Sequence, residues 1–280
     1  MNSAQLALGP VLAAQLWNWS LFVFAPAIQL KRAGLYRPTT LGPSPTAAPL
    51  PALAPDLSGA HDAPVFLDET PEIYASVEGF DVCAELYDGA VRPFSDPIRK
   101  ELLELMRPHL SQGSRVLDPS SGTGSLAVEL AGELPEGELV AADLSRAMVE
   151  RTAAAAAAAG RTNMAFFQAD VAAMPEAFTG YFDAVMSCLS FHHYPDGPAA
   201  AASFRKALRP GGKAFIADGG PKWFVDIARD ISRIADPGFV QHRTGEEFSE
   251  LLLGAGFSEV YWEEALPGIG FTIASTRTSG

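Results

Sequence analysis

Cysteine is nearly missing from this chain, which has only Cys83 and Cys188 among its 280 residues. Two cysteines are too few for a disulfide framework or for a structural zinc site. Both are therefore expected to be reduced thiols in a reducing compartment, which indicates the cytoplasm. We predict no metal-binding residues.

Positive charge is also scarce. Lysine and arginine total 20 against 33 aspartates and glutamates, giving a net charge of −13 at pH 7, and no run of basic residues interrupts this balance. Because nucleic-acid binding relies on clustered positive charge, the composition argues against a nucleic-acid partner. Hydrophobic residues make up 48% of the chain, which excludes disorder over its whole length.

Charged side chains are absent from residues 2–30, and residues 11–30 are just long enough to cross a bilayer. Polar residues and a proline interrupt the stretch, and its two tryptophans lie in the middle, although interfacial residues belong at the ends of a span. The apolar segment 1–36 therefore has three interpretations: a helical cap packed on the globular body, an anchor at the membrane interface, or a span. This segment suggests two kinds of partner for residues 1–35. One is a membrane surface in peripheral contact, and the other is a second copy of the chain in a homodimer.

Proline is concentrated between residues 38 and 64, which hold seven prolines. Such a composition predicts an extended, semi-rigid connector that cannot form a core. The chain is thus divided into the apolar segment 1–36, a proline-rich linker at 37–65 and a globular domain at 66–280.

Strand and helix patterns alternate from Arg115 onward. The predicted strands are 115–118, 138–142, 164–168, 182–187 and 213–217, and the helices between them are 125–133, 145–159 and 198–208. This alternation predicts an α/β fold with a doubly wound, mostly parallel sheet. A capped helix from Thr244 and a hairpin of residues 259–263 and 269–274 complete a seven-stranded, Rossmann-like sheet with an antiparallel C-terminal strand.

Candidate ligand contacts follow the first three strands, at the edge where open parallel sheets bind ligands. A small-residue loop ends at Gly124, Asp143 comes 19 residues later, and Asp170 follows 27 residues after that. Each feature alone has a structural explanation as a tight turn or a helix N-cap. Their joint order, however, indicates a site for an adenosine that carries a charged amino-acid tail.

These residues resemble the class I S-adenosylmethionine-dependent methyltransferases, and among them the small-molecule group that includes the quinone C-methyltransferases. The resemblance covers about residues 72–275. Residues 116–124 are similar to the first motif of the family, residues 142–145 to its ribose-binding motif, residues 168–171 to its adenine contact, and residues 182–196 to its fourth-strand motif.

The resemblance implies S-adenosyl-L-methionine as the cofactor and assigns a contact to each matching residue. The implied contacts are Asp118, Ser120, Gly122 and Gly124 at the methionine end, Asp143 at the ribose, Asp170, Val171, Leu144 and Met148 at the adenine, and Ser187 near the methionine tail. Ser120 stands where the family usually has its first glycine. This departure bears on the affinity for the cofactor and not on its identity.

Candidate catalytic residues follow the fourth strand. His192 or His193 could accept a proton from the acceptor, and the alternative is that one ring only orders the loop. Tyr74 and Tyr87 fall in helices that form a lid in the family, with plain core packing as the alternative. The substrate wall is expected to contain three further residues: Trp223, Phe239 and His242.

The resulting prediction is a methyltransferase that acts on an oxygen or carbon of a hydrophobic small molecule, such as a quinone, a terpenoid, a polyketide or a lipid-like compound. Two alternatives stay open. The chain could bind the same cofactor and catalyse a cyclisation without methyl transfer, or it could be a non-catalytic subunit of the same fold that binds a partner protein.

Overall fold

Seven strands form one sheet in the computed structural model, which describes residues 64–67, 92, 95–235 and 238–278. The strands are β1 (Arg115–Asp118), β2 (Glu138–Asp143), β3 (Met164–Gln168), β4 (Phe182–Cys188), β5 (Leu208–Ala217), β6 (Glu259–Leu266) and β7 (Ile269–Ser275). Their order is β3-β2-β1-β4-β5-β7-β6, in which β1 to β5 are parallel and β7 runs antiparallel to both β5 and β6. The predicted fold class is confirmed.

Helices cover both faces of this sheet. They are α1 (95–106), α2 (Ser125–Ala131), α3 (Arg146–Ala158), α4 (Gly197–Ala207), α5 (Lys222–Ala235) and α6 (Gly245–Gly254). Successive strand residues point to opposite faces, so Val116 packs in one apolar cluster with α1, α2, α3 and α5, whereas Leu117 packs in the other with α4 and α6. Burial on both faces explains why these strands are continuously apolar in the sequence.

Side-chain caps begin two of the helices where the sequence predicts them. The Ser145 hydroxyl accepts a hydrogen bond from the Met148 N–H at the start of α3. At the start of α6, Thr244 and Glu247 form a reciprocal capping box. Such caps satisfy backbone donors that a helix leaves unpaired and stabilise it by about 1 kcal/mol each.

Two segments differ from the prediction. Strand β5 begins at Leu208 and not at Lys213, because Leu208 pairs with Phe182 across an irregularity in the ladder between β4 and β5. Residues 219–243, for which no helix or strand is predicted, contain the fourteen-residue helix α5.

The end of the predicted linker lies against the sheet. The Val65 N–H donates a hydrogen bond to the Phe166 carbonyl at 2.9 Å, and the Val65 carbonyl accepts one from the Gln168 N–H at 2.7 Å. Val65 therefore extends the sheet beyond β3 as an isolated parallel bridge.

The apolar segment 1–36, most of the linker, Cys83, Tyr74 and Tyr87 lie outside the described residues, and the statements about them stay predictions. Within the described part of the chain, no helix combines the length and the apolar character that a membrane span requires.

Candidate active site

A pocket opens at the carboxyl ends of β1 to β4, beside the point where the strand order reverses between β1 and β4. It encloses about 1030 Å³, including the open solvent at its mouth. The predicted cofactor residues that line it are Asp118, Ser120, Gly122, Asp143, Leu144, Met148, Asp170 and Val171. The topology thus brings together residues that are up to 53 positions apart in the sequence.

Asp118 ends β1 and is buried, with 4% of its surface exposed. Its carboxylate accepts a long hydrogen bond of 3.4 Å from the Ser120 N–H. Burial, together with the nearby charge of Asp143, raises the pKa of Asp118 to about 7. A buried carboxylate with so little compensation would be stabilised by a cationic group of a ligand.

Asp143 connects the loop after β1 to the start of α3. One carboxylate oxygen accepts a hydrogen bond from the Gly122 N–H at 2.9 Å, and the other accepts one from the Ser145 N–H at 2.9 Å. The N-cap of α3 is Ser145 and not Asp143, so the structural interpretation of Asp143 as a helix N-cap is wrong. Its contact with a ribose stays a prediction.

Asp170 is placed in a similar way at the end of β3. Its side chain accepts a hydrogen bond from the Ala172 N–H at 2.8 Å and caps a short 3₁₀ turn. Leu144, Met148 and Val171 supply apolar surface to the same part of the pocket. This part combines flat apolar contacts with carboxylates at its edge, which suits a nucleoside.

The two predicted glycines have different roles. Gly122 lines the pocket with a φ of +55°, and an added Cβ would meet no atom within 4 Å. Gly124 has a φ of +82° and does not line the pocket. A Cβ there would lie 2.7 Å from Thr152 Cγ2, so the contact of Gly124 is with α3 and not with the ligand space.

Hydroxyl groups join the loop after β1 to the loop after β4. The Tyr194 hydroxyl lies 2.6 Å from Ser120 Oγ, 3.2 Å from Ser190 Oγ and 3.4 Å from Ser187 Oγ. Burial raises the pKa of Tyr194 to about 12, so its hydroxyl keeps its proton. The predicted contact Ser187 is buried behind this network and does not line the pocket itself.

Arg99 is a lining residue that the sequence reasoning missed. Its side chain comes from α1, is 16% exposed, and pairs with Asp96 at 3.2 Å. Arg99 lies on a helix outside the motif regions, and no local pattern separates it from a surface arginine. Tyr194 and Ser190 were missed as well, although they lie within the resembled fourth-strand motif.

The two adjacent histidines occupy different environments. His193 lines the pocket, and its Nδ1 lies 3.1 Å from the Gly238 carbonyl. Because a carbonyl only accepts, Nδ1 carries the proton, and in the neutral ring Nε2 holds the lone pair. His192 is 6% exposed and does not line the pocket; its Nδ1 lies 2.8 Å from Asp218 Oδ2.

The predicted substrate residues form an aromatic cluster beside His192, outside the lining of the pocket. The ring centroid of His242 lies 5.1 Å from that of His192 and 4.7 Å from that of Phe239. Trp223 packs against Phe224, which also contacts His242.

Charge in this cluster is held by Asp218. Burial by itself raises the pKa of Asp218, but the charge of His192 and its hydrogen bonds outweigh this effect and hold the pKa well below its usual range. Burial, followed by the charge of His192, lowers the pKa of His242 to about 3, so the His242 ring is neutral. The cluster thus consists of buried polar side chains enclosed by aromatic rings.

Comparison with known proteins finds a methyltransferase domain within the chain. Residues 116–212 match the model of a methyltransferase domain. The nocamycin O-methyltransferase of Saccharothrix syringae is 35% identical over 135 residues, which are 48% of this chain and 47% of that protein. The demethylmenaquinone methyltransferase of Thermus thermophilus is 34% identical over 102 residues, which are 36% of this chain and 46% of that protein.

The chain thus spans about half the length of these curated relatives. Among solved structures, the methyltransferase bound to the Trm112 activator of Haloferax volcanii has a TM-score of 0.60 at 18% identity, covering 71% of this chain and 97% of that one. At such an identity the likeness shows the fold alone. Taken together, the domain match, the relatives and the fold support a methyltransferase domain of the class I S-adenosylmethionine-dependent type in this chain.

Proposed function

We propose that this protein transfers the methyl group of S-adenosyl-L-methionine to an oxygen or a carbon of a hydrophobic small molecule. The observation that carries the proposal is the charge arrangement of the pocket. The strand order puts the buried carboxylate Asp118, with the cation Arg99 near it, at one end and Asp170 at the other. Asp143 lies between them, beside apolar surface.

The end with Asp118 suits an amino acid. An ammonium group next to Asp118 would stabilise the ionised form of a carboxylate that the protein alone leaves with a pKa of about 7. Arg99 would hold the carboxylate of the same amino acid, because a guanidinium donates to both carboxylate oxygens at once. Each charged side chain of the protein would then face a ligand group of the opposite charge.

The other end suits adenosine. Asp143 would accept hydrogen bonds from the two ribose hydroxyls, and Asp170 would accept one from the adenine amino group. The Val171 N–H would donate to a ring nitrogen, while Leu144 and Met148 pack on the ring. When bound, the cofactor supplies a methyl group that its sulfonium activates.

His193 is the better candidate for a general base, because it lines the pocket and its Nδ1–H is held by the Gly238 carbonyl. This contact orients the ring and leaves the lone pair on Nε2, where it could take a proton from an acceptor hydroxyl or from an activated carbon. The buried contact between His192 and Asp218 favours a different role for His192.

The apolar nature of the acceptor is supported by the wall beside the pocket. Helix α5 carries Trp223 and Phe224, and the segment after it carries Phe239 and an exposed Val240. The two curated relatives act, by their names, on nocamycin and on demethylmenaquinone. Quinone, terpenoid, polyketide and lipid-like acceptors are therefore the classes to test first, with Tyr74 and Tyr87 still predicted as lid residues.

The test uses the full chain, methyl-labelled cofactor and a panel of these acceptors, with S-adenosylhomocysteine and labelled product measured together. Equal amounts of both are expected for methyl transfer. A product formed without S-adenosylhomocysteine would indicate the cyclisation alternative. Cofactor binding with no turnover, together with a stable complex with another protein, would indicate a non-catalytic subunit.

A further inference from the structure

We propose that His192, Asp218 and His242 form a binding site for one divalent first-row transition-metal ion. The three residues come from the 3₁₀ turn after β4, from the end of β5 and from the segment before α6. One potential ligand atom of each lies within 4.8 Å of the others, and all three side chains are buried.

His242 supplies the independent observation. Its Nε2 lies 2.9 Å from Ser232 Oγ, and its Nδ1 is buried without a hydrogen-bond partner. A buried nitrogen left unpaired is unfavourable, because it has lost its hydrogen bonds to water. A metal ion bound at Nδ1 would remove this cost, and Ser232 would act as the outer-shell partner that fixes the orientation of a ligating histidine.

The distances suit a metal ion. With metal–ligand bonds of about 2.0–2.2 Å, neighbouring donor atoms lie about 3 Å apart and opposed ones about 4 Å apart. His192 Nδ1 and Asp218 Oδ2 are 2.8 Å apart, as neighbouring ligands are. The whole set falls within 4.8 Å, slightly more than the separation of opposed ligands, so a bound ion would draw the three side chains closer together. In the metal-free protein a proton lies between these two atoms, and the metal ion would replace that proton, which is released to solvent.

The donor set determines the class of ion. Two imidazoles and one carboxylate favour ions such as Zn²⁺ and Fe²⁺ over Mg²⁺ and Ca²⁺, which prefer oxygen ligands. The other Asp218 oxygen accepts a hydrogen bond from the Gly219 N–H at 2.6 Å, and this bond holds the carboxylate in place.

Three protein ligands would leave coordination positions open, as in catalytic metal sites. The ring centroid of His192 lies 4.1 Å from that of His193, which lines the cofactor pocket. An acceptor with a hydroxyl, enol or carbonyl oxygen could take an open position close to that pocket. The binding site itself does not depend on the proposed methyl transfer, whereas this use of the open positions does.

The experiment is a metal titration of the full chain after removal of metals with a chelator. Zn²⁺ affinity is measured by competition with a chromophoric chelator, and Co²⁺ binding by its visible absorption bands. We expect one equivalent of each ion per chain. His242→Phe and Asp218→Asn should each weaken Zn²⁺ binding by about 100-fold or more, and Ser232→Ala by about 10-fold.

Three controls separate metal binding from the loss of any histidine, from folding and from cofactor binding. His109→Ala removes an exposed histidine elsewhere and should leave the Zn²⁺ affinity unchanged. His242→Phe keeps a ring between Phe224 and Phe239, and the thermal unfolding of each variant shows whether it is folded. S-adenosylhomocysteine binding by the metal-free chain tests the cofactor site separately.

The proposal is overturned if the wild-type chain does not bind one equivalent of Zn²⁺ or Co²⁺. It is equally overturned if the folded His242→Phe, Asp218→Asn and Ser232→Ala variants bind Zn²⁺ as tightly as the wild type. Failure of metal binding with intact S-adenosylhomocysteine binding would leave the proposed methyl transfer standing.

Discussion

The hydroxyls of Ser120 and Tyr194 lie 2.6 Å apart, and this hydrogen bond joins the loop after β1 to the loop after β4. Ser120 occupies the position where the resembled first motif has a glycine. The extra side chain is thus bonded to Tyr194, and the hydroxyl network with Ser187 and Ser190 holds Tyr194 in place. The serine that departs from the motif thus has a hydrogen-bond partner, Tyr194, on a segment that is distant in the sequence.

Removal of the Tyr194 hydroxyl should destabilise the protein. Tyr194→Phe leaves Ser120 Oγ without this short bond in a largely buried site, and we expect a loss of about 0.5–1.5 kcal/mol in the free energy of unfolding. Denaturant unfolding measures this loss. Tyr261→Phe is the matched control: its exposed hydroxyl bonds to Glu263, and the change should leave stability unaltered. Equal losses in both variants would contradict the structural role of the network.

Asp143 is expected to dominate nucleoside binding. Asp143→Ala removes the ribose contact and also the bonds to Gly122 and Ser145, so cofactor affinity should fall by about 1.5–3 kcal/mol, or roughly 10–150-fold. Calorimetry with S-adenosylhomocysteine measures the change. The control Asp226→Ala removes an exposed carboxylate of α5 that pairs with Lys222. Unchanged affinity in Asp143→Ala, and in Asp170→Ala as well, would remove the assignment of the nucleoside pocket.

Cofactor affinity should depend on pH through Asp118. Its pKa is raised from 3.8 to about 7 in the folded chain, and an ammonium group prefers the ionised form. Affinity for S-adenosylhomocysteine should therefore rise, by up to about tenfold per pH unit, as the pH increases toward 7, and then level off. The Asp118→Asn variant should bind more weakly and without this dependence; the same slope in that variant would show that another group titrates.

The raised pKa of Asp118 makes the stability of the ligand-free protein fall with increasing pH, whereas it makes cofactor affinity rise. Because the folded pKa is raised, the contribution of Asp118 to the stability of the ligand-free protein is present below about pH 4 and is lost as the pH rises through about 7. Asp118→Asn should accordingly stabilise the ligand-free chain at pH 8 relative to wild type, measured by denaturant unfolding. A destabilised variant at pH 8 would indicate that the carboxylate is already compensated.

If His193 is the general base, His193→Ala should lower turnover by about 10²–10⁴-fold while cofactor affinity stays nearly intact. The acidic limb of the pH–rate profile should disappear with it. His109→Ala, which removes an exposed histidine outside the pocket, is the control for the loss of a histidine elsewhere. A rate for His193→Ala within a few-fold of wild type would show that catalysis depends on alignment of the acceptor and not on a base at this position. His192→Ala, measured in parallel, would show whether the neighbouring ring is the general base.

The apolar segment 1–36 and the linker can be tested by deleting residues 1–60. If the segment is an interfacial anchor, deletion should abolish co-sedimentation with liposomes and leave the melting temperature unchanged. If it is a packed cap, the full chain should not bind lipid, and deletion should lower the melting temperature or the substrate affinity. A deletion that changes none of these would show a passive extension.

The sequence by itself determined the fold class and the location of the site. The apolar strand patterns, the helical periodicity between them and the caps at Ser145 and Thr244 are local signals, because each depends on residues only a few positions apart. The loop before Gly124 and the acidic residues at the strand ends are also local signals. In a parallel sheet their order in the chain is enough to place Asp118, Asp143 and Asp170 in one pocket.

Only the tertiary structure decided which side chains meet across long sequence separations. Arg99 reaches the pocket because α1 packs against the sheet, and Tyr194 meets Ser120 because the β1 and β4 strand ends are neighbours. His192 and His193 are adjacent in sequence, yet one faces Asp218 and the other the pocket. No local pattern encodes such contacts, because they arise from the packing of whole elements and not from the periodicity within any one of them.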